Sequence, residues 1–197
     1  YGRVGSMAHA EAFSMHASKL INRAEGGYIT TSDTKLRDRL KLTRGFGLNG
    51  PSQVEENFGT NAKLNEMHAA LALASLDSVE EFVIHNRKIY RCYMTGIVKL
   101  CGLRLVRFDE SYRTSYKNIV FEVLEDWPLS RDFTVRVLNS ENILARAYYS
   151  PALHQKPMLY PHIPATLPIT DALAERFIVM PSGFMVNERD VEDIITL

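Results

Sequence analysis

Cysteine is scarce in this sequence: only Cys92 and Cys101 among 197 residues. Two thiols are too few for a disulfide framework, and neither belongs to a Cys-x-x-Cys pair, so no metal site is expected. The default expectation is two reduced thiols in a cytoplasmic protein. A surplus of either charge is also missing, because Lys+Arg and Asp+Glu both number 23. Nucleic-acid affinity rests on excess Lys and Arg facing phosphates, so no nucleic-acid partner is expected. Arg37, Arg39, Lys41 and Arg44 alternate with other residue types and read as a solvated helix face. No apolar run approaches the roughly 20 residues that span a bilayer, so no membrane partner is expected. The opening residues YGRVGSMAHAEAFS hold no signal-peptide stretch. They also lack an initiator Met, and an artificial or internal beginning is expected.

What is present suits an ordinary globular core. Hydrophobic residues make up 46% and charged residues 23%, and a chain of this size buries roughly 70% of its unfolded surface. Residues 10–15 and 28–31 have the small, apolar and β-branched composition of strands. Ser32 and Asp33 offer N-cap oxygens to a helix over 35–44, and glycines 45, 47 and 50 with Pro51 open a long loop through residue 61. The longest expected helix covers 65–93, which holds no glycine or proline. Strands are expected at 103–108, 118–124 and 143–149, a helix from Ser130 to Asn139, and final helices at 171–177 and 188–195, the last capped by Asn187. After Gly102 the order implies a small α+β domain.

The segment SMHASK, residues 14–19, carries the candidate chemistry. Alone, it reads as a solvated lysine in a polar turn. Three neighbouring features point further. Ser14, His16, Ser18 and Lys19 lie between two expected strands, where a loop presents polar groups to a ligand. Glu25-Gly26-Gly27 permits tight backbone geometry before the second strand. Gly59-Thr60-Asn61 is expected to open a helix, whose free N–H groups attract anions.

The segment 13–33, FSMHASKLINRAEGGYITTSD, resembles the lysine segment of the DegT/DnrJ/StrS family of sugar aminotransferases, with its S-F-H-x-x-K and E-G-G patterns. NFGTNAKLNEMHAALALASL, residues 57–76, resembles the family's G-x-N-x-[RK] helix start. Asn86-Arg87-Lys88 with Tyr90 and Tyr93, the run 149–154 (YSPALH), Leu167-Pro168, the run 178–181 (IVMP) and Asp190-Val191 continue the similarity in the family's order. Ala24 and Tyr28 depart slightly from the residues usual around E-G-G, and Lys63 stands where many relatives carry Arg. The two cations are not equivalent for forked recognition of a carboxylate or phosphate.

The resemblance implies an α/β fold-type I architecture, that of the aspartate aminotransferase-like pyridoxal-phosphate transferases. Residues 1–64 would be the end of the cofactor-binding large domain, 65–101 a long connecting helix, and 102–197 the small C-terminal α+β domain. The family's N-terminal half, which carries most of the cofactor site, has no counterpart in this chain. Lys19 takes the place of the Schiff-base lysine to pyridoxal 5'-phosphate, Ser14 that of a hydroxyl on the cofactor phosphate, and Asn61 that of an asparagine reaching the same phosphate from the neighbouring subunit of a homodimer. His16, Lys63 and His154 are candidate substrate contacts. An attacking amine must be neutral, so Lys19 is expected to have a cationic or desolvated neighbourhood. Family sugar dehydrases carry His where this chain has Lys19, so transamination is implied, from glutamate to a nucleotide-linked keto-sugar such as a 4-keto-6-deoxyhexose. The competing expectation is a fragment or diverged relative that folds without chemistry and serves in assembly or regulation.

Overall fold

The first two strands form a ribbon in which the side chains of the first alternate between half-buried and exposed. β1 (Glu11–Ser14) runs antiparallel to β2 (Gly27–Thr30), with Glu11 opposite Thr30 and Ser14 opposite Gly27. Phe13 and Tyr28, directly opposed, stack with ring centroids 4.7 Å apart, the cross-strand contact that stabilises such a ribbon. The computed structural model describes residues 3–22 and 25–197, so Ala24 lies outside the described residues. The chain divides into two compact units, Tyr1–Val79 and Glu80–Leu197.

In the first unit, α1 (Thr34–Arg44) begins where the Asp33 carboxylate accepts the N–H groups of Lys35 and Leu36, at 2.8 and 3.1 Å. Lys41 and Arg44 in its last turn face the negative end of the helix dipole. The stretch expected to be loop contains a small hairpin, β3 (Leu48–Asn49) with β4 (Gln53–Val54). Two-residue strands are too short to leave an alternating pattern in the sequence. α2 (Glu66–Asp77) starts at Asn65, whose side chain accepts the His68 N–H at 2.8 Å.

The helix expected over 65–93 is two helices. α2 ends at Ser78, whose N–H turns back to the Leu76 carbonyl, and α3 (Val79–Gly96) follows at once. Asp77 and Ser78 compete with the helix for backbone hydrogen bonds, which favours a terminus over an interior there.

The second unit is an α+β body around one antiparallel sheet in the order β5 (Leu103–Leu105), β6 (Ile119–Val123), β7 (Phe177–Met180). Its core joins Ile89, Tyr90 and Tyr93 of α3 to Leu105, Ile119, Phe121 and Ile178 of the sheet and to Val191 of α6 (Glu188–Thr196). Ser130 caps α4 (Arg131–Ser140), and Asn187 exchanges reciprocal cap bonds with Asp190 at the start of α6. Two expectations are corrected. Residues 143–149 form no strand beyond one bridge between Arg146 and Val179, because Ala145 and Tyr148 donate their N–H groups two residues back, to Ile143 and Arg146. The helix placed at 171–177 is α5 (Pro168–Ala174): Pro168 suits a first helical turn, and Phe177 begins β7 instead. Cys92 and Cys101 are free thiols. Among the described residues no helix is long and apolar enough to cross a membrane, and no cluster of three or more His, Cys, Asp or Glu is placed to hold a metal.

Candidate active site

The β1–β2 hairpin builds the tip that carries Lys19. Ser14 ends β1 opposite Gly27, and the Met15 N–H closes the ladder on the Gly26 carbonyl at 2.9 Å. A Cβ on Gly27 would sit 2.5 Å from the Phe13 carbonyl oxygen, so only glycine lets the strands approach this closely. Gly26 holds φ at +146° with the Leu64 and Met15 side chains against it, which seats the turn on the segment preceding α2.

Beyond Ser14 the tip is a web of local bonds. The His16 N–H donates to Ser14 Oγ at 3.2 Å, and the Ser18 N–H donates to His16 Nδ1 at 3.0 Å. His16 Nδ1 is also 2.9 Å from Ser18 Oγ. An Nδ1 that accepts leaves the ring proton on Nε2, which faces a Glu25 carboxylate oxygen 3.6 Å away. The Lys19 N–H donates to the His16 carbonyl at 2.8 Å. His16 is therefore bonded through Nδ1 within the hairpin while Nε2 faces Glu25, an arrangement that shapes the turn.

Lys19 is held by its backbone and left open at its side chain. Its carbonyl accepts from Asn22 Nδ2 at 2.7 Å, and the Asn22 N–H donates to Ser75 Oγ at 3.3 Å. Ser75 lies on α2 and is fully buried. The Lys19 side chain is exposed and its ammonium bonds to no other described residue. The desolvated or cationic neighbourhood expected around it is not furnished by the described residues of this unit. Ser14 is also exposed, and its hydroxyl proton has no acceptor among the described residues. A primary amine without a partner among the described residues, close in sequence to a hydroxyl with a proton to donate, suits a ligand that offers a carbonyl to one and a phosphate oxygen to the other. The donor set thus fits the implied cofactor.

Asn61 and Lys63, also in the first unit, make contacts of their own, and His154 belongs to the second unit. Gly59-Thr60-Asn61 does not open a helix: Thr60 donates to the Thr43 carbonyl at 2.8 Å, Ala62 to Arg44 at 3.1 Å, and Asn61 bridges Gly45 in extended backbone. The free helix N–H groups lie further on, where Asn65 caps α2. Asn61 is exposed. Lys63 lies over the Phe46 ring, its Nζ 4.8 Å from the centroid, a cation–π contact. His154, in the second unit, sits in a 3₁₀ turn at Leu153–Gln155 with only 14% of its side chain exposed. Its Nε2 and Gln155 Nε2 both reach Asp171 Oδ1 at 2.7 Å, which ties that turn to α5. Asn22, Glu25 and Ser75 were not foreseen as members of the site. Asn22 and Ser75 are 53 positions apart, and nothing local in either stretch signals their pairing.

Comparison with known proteins gives one consistent answer. The DegT/DnrJ/EryC1/StrS aminotransferase family matches residues 2–197. The chain is 27% identical over 187 residues to the dTDP-4-amino-4,6-dideoxy-D-glucose transaminase of Escherichia coli, covering 93% of this chain and 50% of that protein. Among solved structures it is similar to DesI in the presence of its TDP-sugar product, with a TM-score of 0.88 and 32% identity over 98% of this chain and 49% of that one. It shares its fold with the E. coli GDP-4-keto-6-deoxy-D-mannose-3-dehydratase with bound hydrated PLP, at a TM-score of 0.81 and 18% identity, over 98% of this chain and 55% of that one. The chain spans about half the length of these relatives.

Proposed function

The chain belongs to the DegT/DnrJ/EryC1/StrS aminotransferase family, and from that premise we propose that the whole protein is a cytoplasmic pyridoxal-phosphate enzyme that moves an amino group from glutamate to a nucleotide-linked keto-sugar, a 4-keto-6-deoxyhexose. Residues before α3 would close the large domain, and the α+β body would be the small C-terminal domain. The observation that supports the proposal is Lys19: an exposed amine with no partner among the described residues, on a residue whose own N–H and carbonyl are both hydrogen-bonded.

When bound, pyridoxal phosphate supplies a carbonyl for amine exchange and an electron sink. Lys19 would hold it through Nζ, Ser14 through a hydroxyl donated to its phosphate, and Asn61 of the partner subunit through the same phosphate, which makes the site a property of the homodimer. With its amine free, Lys19 would accept a proton at Nζ and give it back, general acid–base work by one group. The tip bonds among Ser14, His16 and Ser18 keep that amine's attachment point fixed while its four-carbon arm swings. Lysine at this position, where family sugar dehydrases carry histidine, favours transamination. Lys63 and His154 remain proposed substrate contacts, although each already has a protein partner in Phe46 or Asp171. His16 is better suited to shaping the turn.

Borohydride reduction of the cofactor-loaded protein, expressed from its full reading frame, tests the proposal. Covalently trapped cofactor is expected on Lys19 and should vanish in Lys19→Ala. Equal trapping in Lys19→Ala refutes the assignment, and no trapping in the parent protein favours a family member without chemistry.

A further inference from the structure

Resting on that reading of Lys19, we infer that Asn22 and Ser75 form a positioning pair that fixes the catalytic lysine against α2. Two bonds in series carry the argument: Ser75 Oγ accepts the Asn22 N–H at 3.3 Å, and Asn22 Nδ2 donates to the Lys19 carbonyl at 2.7 Å. Together with the Lys19 N–H to His16 carbonyl bond at 2.8 Å, they engage both backbone polar groups of the lysine. One anchor belongs to the hairpin tip itself and the other to a helix more than 50 residues away in sequence.

The burial pattern makes Ser75 an anchor and Asn22 an adjustable link. Ser75 is wholly enclosed, so its hydroxyl cannot exchange its partner for water, whereas Asn22 is half-buried. Ala72 is the other buried residue of α2, one turn earlier, and the small side chains leave room for the loop to lie close. An amide is the fitting group at residue 22, because it donates to a carbonyl and carries no charge of its own. A carboxylate of the same size would place an acceptor against the Lys19 carbonyl oxygen. The pair acts through the Lys19 backbone and sets where the flexible lysine arm begins. Small displacements of a reacting group reduce rate steeply.

The test compares Asn22→Asp and Ser75→Ala with the parent in the cofactor-loaded protein expressed from its full reading frame. Three quantities are read: kcat per bound cofactor, KM for the amino donor, and the pH midpoint of the cofactor's visible absorbance band. In Asn22→Asp, kcat is expected to fall roughly tenfold or more with KM nearly unchanged, and the midpoint to shift. Ser75→Ala should move both quantities in the same direction by less. A purely structural role would lower the melting temperature or the cofactor content while leaving kcat per bound cofactor and the midpoint where they were. That result in Asn22→Asp overturns the inference; if Asn22→Asp does not fold, the same result in Ser75→Ala does so. Absence of the band and of trapped cofactor in the parent protein refutes the lysine assignment, and the inference with it. An intact band in the parent with unmoved variants refutes the pair alone.

Discussion

Arg131 offers a perturbation whose size follows from the contacts it makes. Its side chain is 5% exposed at the start of α4, and Nη1 donates to the Ala174 carbonyl at 2.5 Å and to the Phe177 carbonyl at 3.1 Å. The first is the last carbonyl of α5, which has no partner within its own helix, and a cation there also faces the negative end of the dipole. Nε bonds Asp132 at 2.6 Å, but that carboxylate is 75% exposed and water screens the pair to under about 1 kcal/mol. Arg131→Met keeps the aliphatic stem in place and leaves two carbonyls without their donor. At about 1–2 kcal/mol for each, the second unit should lose about 2–4 kcal/mol. Trp127, the only tryptophan, donates its Nε1–H to Thr134 of the same helix at 2.9 Å, so its fluorescence reports on α4. With a urea slope of roughly 1–3 kcal/mol per molar, the midpoint should fall by about 1–2 M. Asp132→Ala is the control and should move it little. A shift under about 0.5 M in Arg131→Met, at an unchanged slope, would refute the reasoning.

Two further outcomes follow from the first unit. Gly27→Ala forces a Cβ to within 2.5 Å of a backbone oxygen that cannot swing aside. It should weaken the hairpin by about 1–3 kcal/mol and lower the borohydride-trapped cofactor, whereas trapping equal to the parent's would show that the strand spacing does not govern the lysine. The Glu11 carboxylate accepts the N–H groups of Met7, Gly5 and Ala8, and these bonds hold its pKa below the ordinary glutamate value, Met7 contributing most. A depressed folded value means that the order this carboxylate confers is complete above the unfolded value and is lost as pH falls through the folded one. Hydrogen exchange at Met7 and Ala8, corrected for intrinsic rate, should therefore rise on acidification below about pH 4. Glu11→Gln should remove that dependence, and a dependence that survives the substitution would sink the assignment.

The elements most legible in the sequence are those whose signal is local. Asp33 and Asn187 announce α1 and α6 because a cap is a side chain bonding to its own next few residues. Residues 143–149 mislead for the converse reason: their β-branched and aromatic composition fits a strand, yet the backbone closes two short turns, and the only ladder contact depends on Val179 arriving from elsewhere. The break at Ser78 is signalled only by Asp77-Ser78, within a run that holds no glycine or proline. Of the candidate site, the segment around Lys19 carries the family motif. The Asn22 and Ser75 contact was not legible, because a single hydrogen bond across 53 positions has no periodicity to betray it.

The structure also separates two residues that the sequence presents as equals. His16 and Lys19 are both exposed cation-forming side chains on one turn, and the Glu25 carboxylate lies 3.6 Å from His16 Nε2. An exposed ion pair of Lys19 with Glu25 would contribute under about 1 kcal/mol, and a flexible lysine loses side-chain entropy on being held. Glu25 faces His16 instead, whose ring is already oriented by Ser18. Every other polar side chain described at the tip is engaged: Ser14 accepts from His16, Ser18 lies against His16 Nδ1, and Asn22 donates to Lys19. A hairpin shaped only for stability can also bind each neighbour and leave the amine open, since pairing it gains so little. A hairpin that presents an amine must do both, because any carboxylate pairing with Lys19 would hold it protonated and unable to attack. Moving the carboxylate is therefore the sharpest check of this logic: in Glu25→Gln with Ser18→Glu, a carboxylate one residue from Lys19 should reduce the rate of cofactor attachment, whereas Glu25→Gln alone should not.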